Sequence, residues 1–388
     1  MGEKMQYRRL GRTELRVSEI GVGGEWFEHK SPEEVAAIMA AAREQGMNIL
    51  DCWMSDPRVR SMIGDAIAGD REHWIVQGHL GSTWQGGQYV RTREVEPVKR
   101  AFEDLLDRFR TDYVDLGMIH YVDSPEELAR ILDDSPYLRY IQELKAAGTI
   151  RHIGLSTHNP VTGLMAIESG VVDMIMFSVN PAYDMKPASD DIEDLFGEYG
   201  DDITGMDAQR LEFYRAAERA DIGLTVMKTF AGGRLLDPAR SPFGVALTPI
   251  QCIHYALTRP AVSSVLIGYS EPGHVGECAA YETADADARD YASVLAVAPQ
   301  HPVSGLCTYC GHCAPCTMGI DIAAVNKFYD LAEIQVAQGG EVPPLVADHY
   351  AALDVHADAC IACGVCEGNC PFGVPIIERM EAAAELLG

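Results

Sequence analysis

The chain has 388 residues, 47% of them hydrophobic, which is enough for one large domain and a second small one. Its 31 basic and 58 acidic side chains give a formal net charge of −27, which argues against nucleic acid and anionic membranes as partners. The first residues, MGEKMQYRRL, lack the apolar stretch of a signal peptide, and no run of about 18 apolar residues predicts a membrane span. We therefore expect a cytoplasmic protein.

Short β-rich runs alternate with helical patterns over the first 283 residues. Residues 6–19 predict a hairpin that turns near Gly11–Thr13. Ser31 and Glu34 form a capping-box pattern that opens a helix to about residue 45. The strand candidates are residues 19–24, 47–51, 73–79, 113–120, 151–156, 172–180, 222–228 and 263–268. Further helical patterns lie at residues 94–110, 136–147, 159–168, 207–220, 248–258 and 271–280.

Eight strand–helix units predict a parallel (β/α)8 TIM barrel, which we assign to residues 1–298. A doubly wound open sheet is the alternative, but no G-x-G-x-x-G follows an early strand. An acidic segment, residues 184–208, follows the sixth strand. It is interpreted as a solvated insertion, and a lid or a dock for a basic electron donor is the alternative. Its acidic residues are Asp184, Asp190, Asp191, Glu193, Asp194, Glu198, Asp201, Asp202 and Asp207.

Residues 299–388 carry eight of the 11 cysteines in two runs, and we expect a small, α-helical, ferredoxin-like domain there. The first run, C-x2-C-x2-C-x2-C, is Cys307, Cys310, Cys313 and Cys316. The second run, C-x2-C-x2-C-x3-C followed by proline, is Cys360, Cys363, Cys366 and Cys370. The second run matches the bacterial pattern for [4Fe–4S] clusters, in which the fourth thiolate ligates the cluster of the other run.

The two runs therefore predict two [4Fe–4S] clusters. One would be held by Cys307, Cys310, Cys313 and Cys370, and the other by Cys360, Cys363, Cys366 and Cys316. Structural zinc is an alternative, since paired C-x2-C knuckles also bind zinc, and disulfides are a weaker one because nothing indicates an oxidising compartment. Cys52, Cys252 and Cys278 are scattered and are interpreted as buried hydrophobic residues. Helices are predicted at residues 321–337 and 374–387, with a break at Pro343–Pro344.

Four stretches resemble the aldo/keto reductase superfamily: YRRLGRT at residues 7–13, ILD at 49–51, DLGMIH at 115–120 and IGLS at 153–156. The resemblance covers about residues 6–283. With its cysteine-rich tail, the chain resembles the branch of that superfamily with a C-terminal ferredoxin-like domain. The resemblance implies a barrel with its active site at the carboxyl ends of the strands and, often, NADPH-dependent carbonyl reduction.

The family's catalytic set is an Asp, a Tyr, a Lys and a His near the ends of early strands. By resemblance, Asp51 matches the Asp, His120 matches the His, and His79 occupies the position of the Lys. The Tyr position, five residues after Asp51, holds Asp56. The implied mouth therefore brings Asp51, His79 and His120 together without the family's general acid. A carboxylate beside an imidazole favours its protonated form, which can give a proton to a developing alkoxide or enolate.

The resemblance also locates a nicotinamide cofactor pocket, with several departures. Met176 replaces a Gln, and Lys228 replaces the aromatic residue that stacks on the nicotinamide, so Lys228 is a candidate catalytic charge stabiliser. Residues 267–274 contain no Lys or Arg, and Glu271 would face a 2′-phosphate, which disfavours tight NADP binding. The candidate cofactor-binding residues are Ser156, Asn180, Phe230, Gly232 and Gly268. Trp53 and Tyr121 are expected to line the substrate pocket.

Two classes of function follow. In the first, a reductase passes electrons from a ferredoxin- or flavoprotein-type donor through two clusters to a small carbonyl compound or activated alkene at the barrel mouth. Asp51, His79 and His120 then manage the protons. An NAD(P)H-dependent reductase with auxiliary clusters is a variant of this class. In the second class, the barrel has lost its chemistry and the protein is an electron carrier or a docking subunit.

Overall fold

The computed structural model describes residues 5–196, 206–296, 305–337 and 339–388. The strands are β1 Tyr7–Arg9, β2 Arg16–Ser18, β3 Ile20–Gly23, β4 Ile49–Cys52, β5 Ile75–Leu80, β6 Ser82–Gln85, β7 Gln88–Arg91, β8 Val114–Ile119, β9 Ile150–Thr157, β10 Met174–Ser178, β11 Gly223–Met227 and β12 Val262–Gly268. The helices up to the barrel's last strand are α1 Pro32–Glu44, α2 Pro57–Ile67, α3 Val95–Phe109, α4 Pro125–Leu132, α5 Pro136–Ala147, α6 Pro160–Ser169, α7 Glu193–Phe196, α8 Ala208–Arg219 and α9 Pro249–Leu257. The later helices are α10 Pro272–Ala279, α11 Ala286–Arg289, α12 Tyr291–Ala296, α13 Ile322–Ala337, α14 Pro344–Ala351, α15 Val365–Asn369 and α16 Ile376–Leu387.

Eight parallel strands close into a barrel in the order β3-β4-β5-β8-β9-β10-β11-β12, with β12 paired to β3. The predicted (β/α)8 barrel is confirmed, and the open-sheet alternative is wrong. Because every connection returns through a helix or a long loop, all strand carboxyl ends meet at one face of the barrel, here called the mouth. The opposite face carries the β1–β2 hairpin, whose turn at Gly11 lies against the start of β11.

Many helices begin with the same local signal, a polar cap residue followed by proline. Ser31 caps α1 with the predicted capping box, in which Glu34 reaches back to the Ser31 amide. Thr248 and Gln251 form a second capping box at α9. Proline suits the first helical turn because its φ angle is already helical and the missing N–H would have no partner there. These caps fix where each helix leaves the mouth.

The acidic segment after β10 is only partly solvated. Asp190, Asp191 and Glu193 are exposed, as the favoured interpretation required. Asp184 is fully buried instead, so for this residue the solvated interpretation is wrong. Its carboxylate accepts hydrogen bonds from the hydroxyls of Tyr214 at 2.5 Å and Tyr255 at 2.7 Å. Glu198, Asp201 and Asp202 lie outside the described residues.

The cysteine-bearing segment packs against the outside of the barrel, away from the mouth. Asp330 on α13 pairs with Arg215 on α8 at 3.2 Å, and Lys327 pairs with Glu218, near the end of α8, at 2.7 Å. Arg259, in the loop between α9 and β12, donates a hydrogen bond to the carbonyl of Thr308. Helices of the barrel run back from the mouth, so these contacts place the segment on the lower flank. The predicted boundary between residues 298 and 299 lies outside the described residues.

Two details of the tail refine the predictions. Helices α13 and α16 match the predicted ones to within two residues at each end. The Pro343–Pro344 pair does more than interrupt the chain, because Pro344 is the first residue of α14. Among the described residues, every helix is too short or too polar to cross a membrane.

Candidate active site and thiol sites

A continuous chain of hydrogen bonds lies at the barrel mouth. The Asp51 Oδ1 atom is 2.8 Å from Nε2 of His79, and the Nδ1 atoms of His79 and His120 are 2.8 Å apart. Nε2 of His120 is 2.8 Å from the hydroxyl of Tyr89. The structure thus brings together the three predicted residues Asp51, His79 and His120, and it adds a fourth. We call these four side chains the relay.

Neighbouring strands position the first three members of the relay. Asp51 lies near the end of β4 and is directly opposite Gln77 of β5, while His79 is two residues further along β5. His120 follows the last residue of β8, the next strand around the barrel. The side-chain nitrogen of Gln77 donates to Asp51 Oδ1 at 2.9 Å, and the side-chain oxygen of Gln77 accepts from Thr225 Oγ1 at 2.9 Å. Thr225 thus orients Gln77, and Gln77 holds the Asp51 carboxylate from inside the barrel.

Tyr89 comes from a hairpin, β6–β7, inserted after β5. Gly86 and Gly87 form its turn with φ angles of 60° and 82°, which a two-residue hairpin turn requires. Arg91 and Arg93 at its base donate to the backbone carbonyls of Tyr121 and His120, at 2.8 and 2.6 Å. Sequence reasoning missed Tyr89, although the Gly-Gly pair between two polar and aromatic runs was a usable hairpin signal.

Burial sets the charge state of the relay. Exclusion from solvent, reinforced by the positive charge that His79 can carry, lowers the pKa of His120 well below its usual range. Burial also raises the pKa of Tyr89, so its phenol stays protonated at neutral pH. The ring of Trp53 stacks on His120 with a centroid distance of 5.9 Å and an interplanar angle of 14°. Trp53 follows the end of β4 and Tyr121 lies just after β8, with its ring centroid 6.2 Å from that of His120; whether they line a substrate pocket stays a prediction.

A second histidine–carboxylate pair lies beside the relay and was also missed. His158 follows the last residue of β9, and its Nδ1 atom is 3.0 Å from Asp123 Oδ2. Asp123 also accepts from the backbone amide of His158 at 2.7 Å. The ring of His158 is 5.4 Å from that of Tyr121. The sequence signal was a histidine directly after the fifth barrel strand, because His79 and His120 were also predicted from their positions at strand carboxyl ends.

The polar groups predicted to hold a nicotinamide are engaged within the protein. Ser156 Oγ accepts from the amide of Tyr121 at 2.8 Å. Asn180 is fully buried; its side-chain nitrogen donates to the carbonyl of Lys228 at 2.8 Å and its oxygen accepts from the amide of Tyr183 at 2.8 Å. Both ends of the buried Asn180 amide are thus in use within the protein, whereas accepting one hydrogen bond leaves the Ser156 hydroxyl able to donate to a ligand. Lys228 follows the end of β11, and the hydrogen bonds described for the relay do not include it.

The glycine turns of the predicted phosphate region differ in their openness. Gly232 has a φ angle of 65°, and a Cβ added there would meet no atom within 4 Å, so its backbone is accessible to a ligand. A Cβ at Gly268 would lie 2.4 Å from the Trp26 ring, so an indole already occupies that approach. Phe230 is half-buried against the barrel core. Asp56, at the family's tyrosine position, caps α2 by accepting from the Arg58 amide at 2.8 Å.

The eight predicted thiols converge as two separate sets. One small cavity is lined by the first set, which comprises Cys307, Cys310, Cys313 and Cys370. A second cavity is lined by the other set, which comprises Cys316, Cys360, Cys363 and Cys366. Each set takes three thiols from one run and the fourth from the other, which is the partition expected from the spacing. Apolar side chains complete both cavities, including Phe372 and Val374 in the first.

Burial affects the two thiol sets differently. It raises the pKa values of Cys307 and Cys313 to about 12, so these thiols ionise at neutral pH only when a cation binds them. Cys363 is exposed, and hydrogen bonds from the Val365 amide and the Thr317 hydroxyl lower its pKa. Within the described residues no group of three or more His, Cys, Asp or Glu has the geometry of a site for a metal ion. A single zinc ion would need four sulfurs at about 2.3 Å, whereas a cubane cluster spreads its ligands further apart.

Comparison with known proteins agrees with the barrel geometry. A model of the aldo/keto reductase family matches residues 19–246, more than half of the chain. An uncharacterized oxidoreductase, YqkF of Bacillus subtilis (strain 168), is 29% identical over 189 residues, covering 47% of this chain and 58% of that protein. L-galactose dehydrogenase of Arabidopsis thaliana is 24% identical over 305 residues, covering 71% of this chain and 87% of that protein. The chain thus spans little more than half the length of the first of these relatives.

A solved structure shows the same fold. The holo form of aldo-keto reductase AKR11C1 from Bacillus halodurans superimposes with a TM-score of 0.58 at 21% identity, covering 74% of this chain and 94% of that one. At this identity the similarity establishes the fold alone. Membership of the family rests on the family model, whose match includes the strands that carry Asp51, His79 and His120. The chain belongs to the aldo/keto reductase family.

Proposed function

We propose that the protein is an oxidoreductase that reduces a small carbonyl compound at the barrel mouth, with Asp51, His79 and His120 handling the proton. The observation that carries the proposal is the buried chain of hydrogen bonds from Asp51 to His120 at the strand ends. Asp51 and His79 are 1% and 3% exposed, so their hydrogen bond is shielded from water. Active sites of this fold lie at the same face.

The relay has two proton states that differ in the direction of every bond beyond His79. A carboxylate only accepts, so Nε2 of His79 donates to Asp51. With neutral rings, His120 Nδ1 donates to His79 Nδ1, and Nε2 of His120 accepts. One added proton makes His79 the donor to His120, so that Nε2 of His120 carries a hydrogen toward the mouth. The relay therefore stores one proton against Asp51 and can release it outward.

We further propose that the two thiol sets hold two [4Fe–4S] clusters. Convergence of the sets in the partition expected from the sequence supports this assignment. When bound, such clusters supply one-electron transfer. The thiols lie on the lower flank, so clusters held there would be separated from the mouth by the helix layer at α8 and α9.

NAD(P)H-dependent reduction is the alternative electron source. The family often uses this cofactor, and the open turn at Gly232 supports it. The buried Asn180 side chain, with both ends of its amide in use within the protein, argues against it. Fluorescence titration with NADH and NADPH decides this point, since a micromolar-range dissociation constant would favour the nicotinamide route. One relative is named L-galactose dehydrogenase, so sugars and keto sugars belong in the substrate panel together with simple carbonyl and enoate compounds.

The test uses protein purified without oxygen. Cluster content is measured by EPR and iron analysis, and the protein is then screened with reduced small-protein or chemical electron donors against the substrate panel. The proposal predicts carbonyl-dependent oxidation of the donor, and it predicts that His120→Asn lowers the turnover about 100-fold or more. If turnover is unchanged in this variant, the barrel has no proton chemistry, and an electron carrier or docking subunit becomes the better description.

A further inference from the structure

The relay has one exposed member, Tyr89. Asp51, His79 and His120 are 1%, 3% and 4% exposed, whereas Tyr89 is 38% exposed. The Tyr89 hydroxyl is hydrogen-bonded to Nε2 of His120, and the ring of Trp53 stacks on the imidazole of His120. A proton that moves outward along the relay therefore reaches the mouth through the phenol.

We propose that the hydroxyl of Tyr89 exchanges the proton with the substrate oxygen and is itself recharged by His120. This inference rests on the proposed function and deepens it, because it names the group that touches the substrate. Tyr89 does not occupy the position of the family's catalytic tyrosine. By resemblance, that position holds Asp56, the cap of α2.

In the reducing direction each proton has a donor and an acceptor. The O–H bond of Tyr89 breaks, and its proton is transferred to the carbonyl oxygen of the substrate. The phenolate oxygen then takes the proton from Nε2 of His120. Nδ1 of His120 in turn takes the proton from Nδ1 of His79. The relay returns to its neutral state with one stored proton consumed. The substrate carbon receives two electrons from the reductant of the proposed function and a second proton from water, which leaves as hydroxide.

The hairpin is built to hold the phenol in place. Thr83, on the strand facing Tyr89, is buried, and its carbonyl accepts from Ser55 Oγ at 2.9 Å. Ser82 Oγ donates to the carbonyl of Trp53 at 2.6 Å. Together with the two arginine contacts to the end of β8, these bonds tie the hairpin to the barrel at both of its strands. Such fixed placement is what proton transfer over one hydrogen bond requires.

Tyr89→Phe tests the inference, with Trp84→Phe as the matched control. Trp84 is the cross-strand partner of Tyr89 and is equally exposed, at 38%. Tyr89→Phe should lower kcat about 100-fold or more while KM changes less than about threefold, and it should remove the solvent isotope effect of the wild type. Trp84→Phe should stay within about threefold of the wild type in both constants. Circular dichroism and iron content establish that the variants fold.

The outcomes separate this inference from the proposed function. If the wild type reduces a carbonyl substrate and Tyr89→Phe retains more than a third of kcat, the role of Tyr89 is overturned while the proposed function stands. If the wild type reduces none, the proposed function fails, and 15N NMR of the histidines then tests the relay itself. The inference requires the His120 proton to lie on Nδ1 while the relay is neutral and on Nε2 once the relay has gained its proton, and it requires the Nε2 resonance to shift in Tyr89→Phe. A His120 proton that stays on the same nitrogen in both states, or no shift, would overturn it.

Discussion

Replacing Asp51 by Asn should weaken the stored proton without changing the shape of the mouth. The amide is isosteric, and its oxygen can still accept from Gln77 and His79, so the two contacts at 2.9 and 2.8 Å persist. What is lost is the negative charge facing a protonated His79. A hydrogen bond to a charged group is worth about 1.5–3 kcal/mol, and about 1.4 kcal/mol corresponds to a factor of ten. The variant should therefore hold the stored proton less firmly by about that energy.

The assay is kcat/KM for carbonyl reduction at neutral pH. Reduction requires the protonated relay, so Asp51→Asn should lower kcat/KM about 10- to 100-fold, the factor that corresponds to about 1.5–3 kcal/mol. Asp65→Asn removes the same charge from an exposed side chain of α2 and should leave kcat/KM within about threefold of the wild type. A folded Asp51→Asn protein whose kcat/KM equals that of the wild type would refute the reasoning.

Three further predictions concern the tail, the packing and the pH response. Cys370→Ala should lower the iron content of anaerobic protein from about eight to about four atoms per chain, whereas Cys278→Ala, at a buried cysteine outside both sets, should retain it. Gly64→Ala should lower the free energy of unfolding by about 1–3 kcal/mol in urea titrations, because its Cβ would lie 2.1 Å from the Arg108 carbonyl oxygen. Gly69→Ala meets no atom within 4 Å and should change it by less than about 0.5 kcal/mol. Burial, with Arg289 nearby, lowers the pKa of His254 to about 4, so the unfolded chain binds more protons below pH 6.5. The free energy of unfolding should then fall by up to about 1.4 kcal/mol per pH unit between pH 6.5 and 4, and His254→Gln should flatten that slope. An unchanged slope would contradict this assignment.

Local patterns predicted the barrel and much of its mouth. Alternating strand and helix signals identified all eight barrel strands, and the position of a residue at a strand's carboxyl end was enough to bring Asp51, His79 and His120 together. The cysteine spacing predicted the two thiol sets, since three closely spaced residues wrap one site and leave the fourth free to cross over. These features depend on short-range periodicity or on the topology of the barrel.

Features that depend on contacts between distant segments were not predictable in this way. Tyr89 reaches His120 only because the β6–β7 hairpin folds over the mouth. Asp184 was assigned to solvent with its acidic neighbours, but Tyr214 and Tyr255 from two later helices enclose it. The position of the tail on the lower flank follows from pairs such as Arg215 and Asp330, 115 positions apart along the sequence, which no local pattern relates.

The most direct test of the proposed function is a single-turnover experiment without nicotinamide. Anaerobic protein is reduced chemically, excess reductant is removed, and the visible absorbance is followed in a stopped-flow instrument after mixing with a carbonyl substrate. The proposal predicts that the absorbance of oxidised clusters returns at a rate set by the substrate concentration, with alcohol formed at one molecule per two electrons. Reoxidation that proceeds equally without substrate, or a protein without iron that turns over fully, would contradict it.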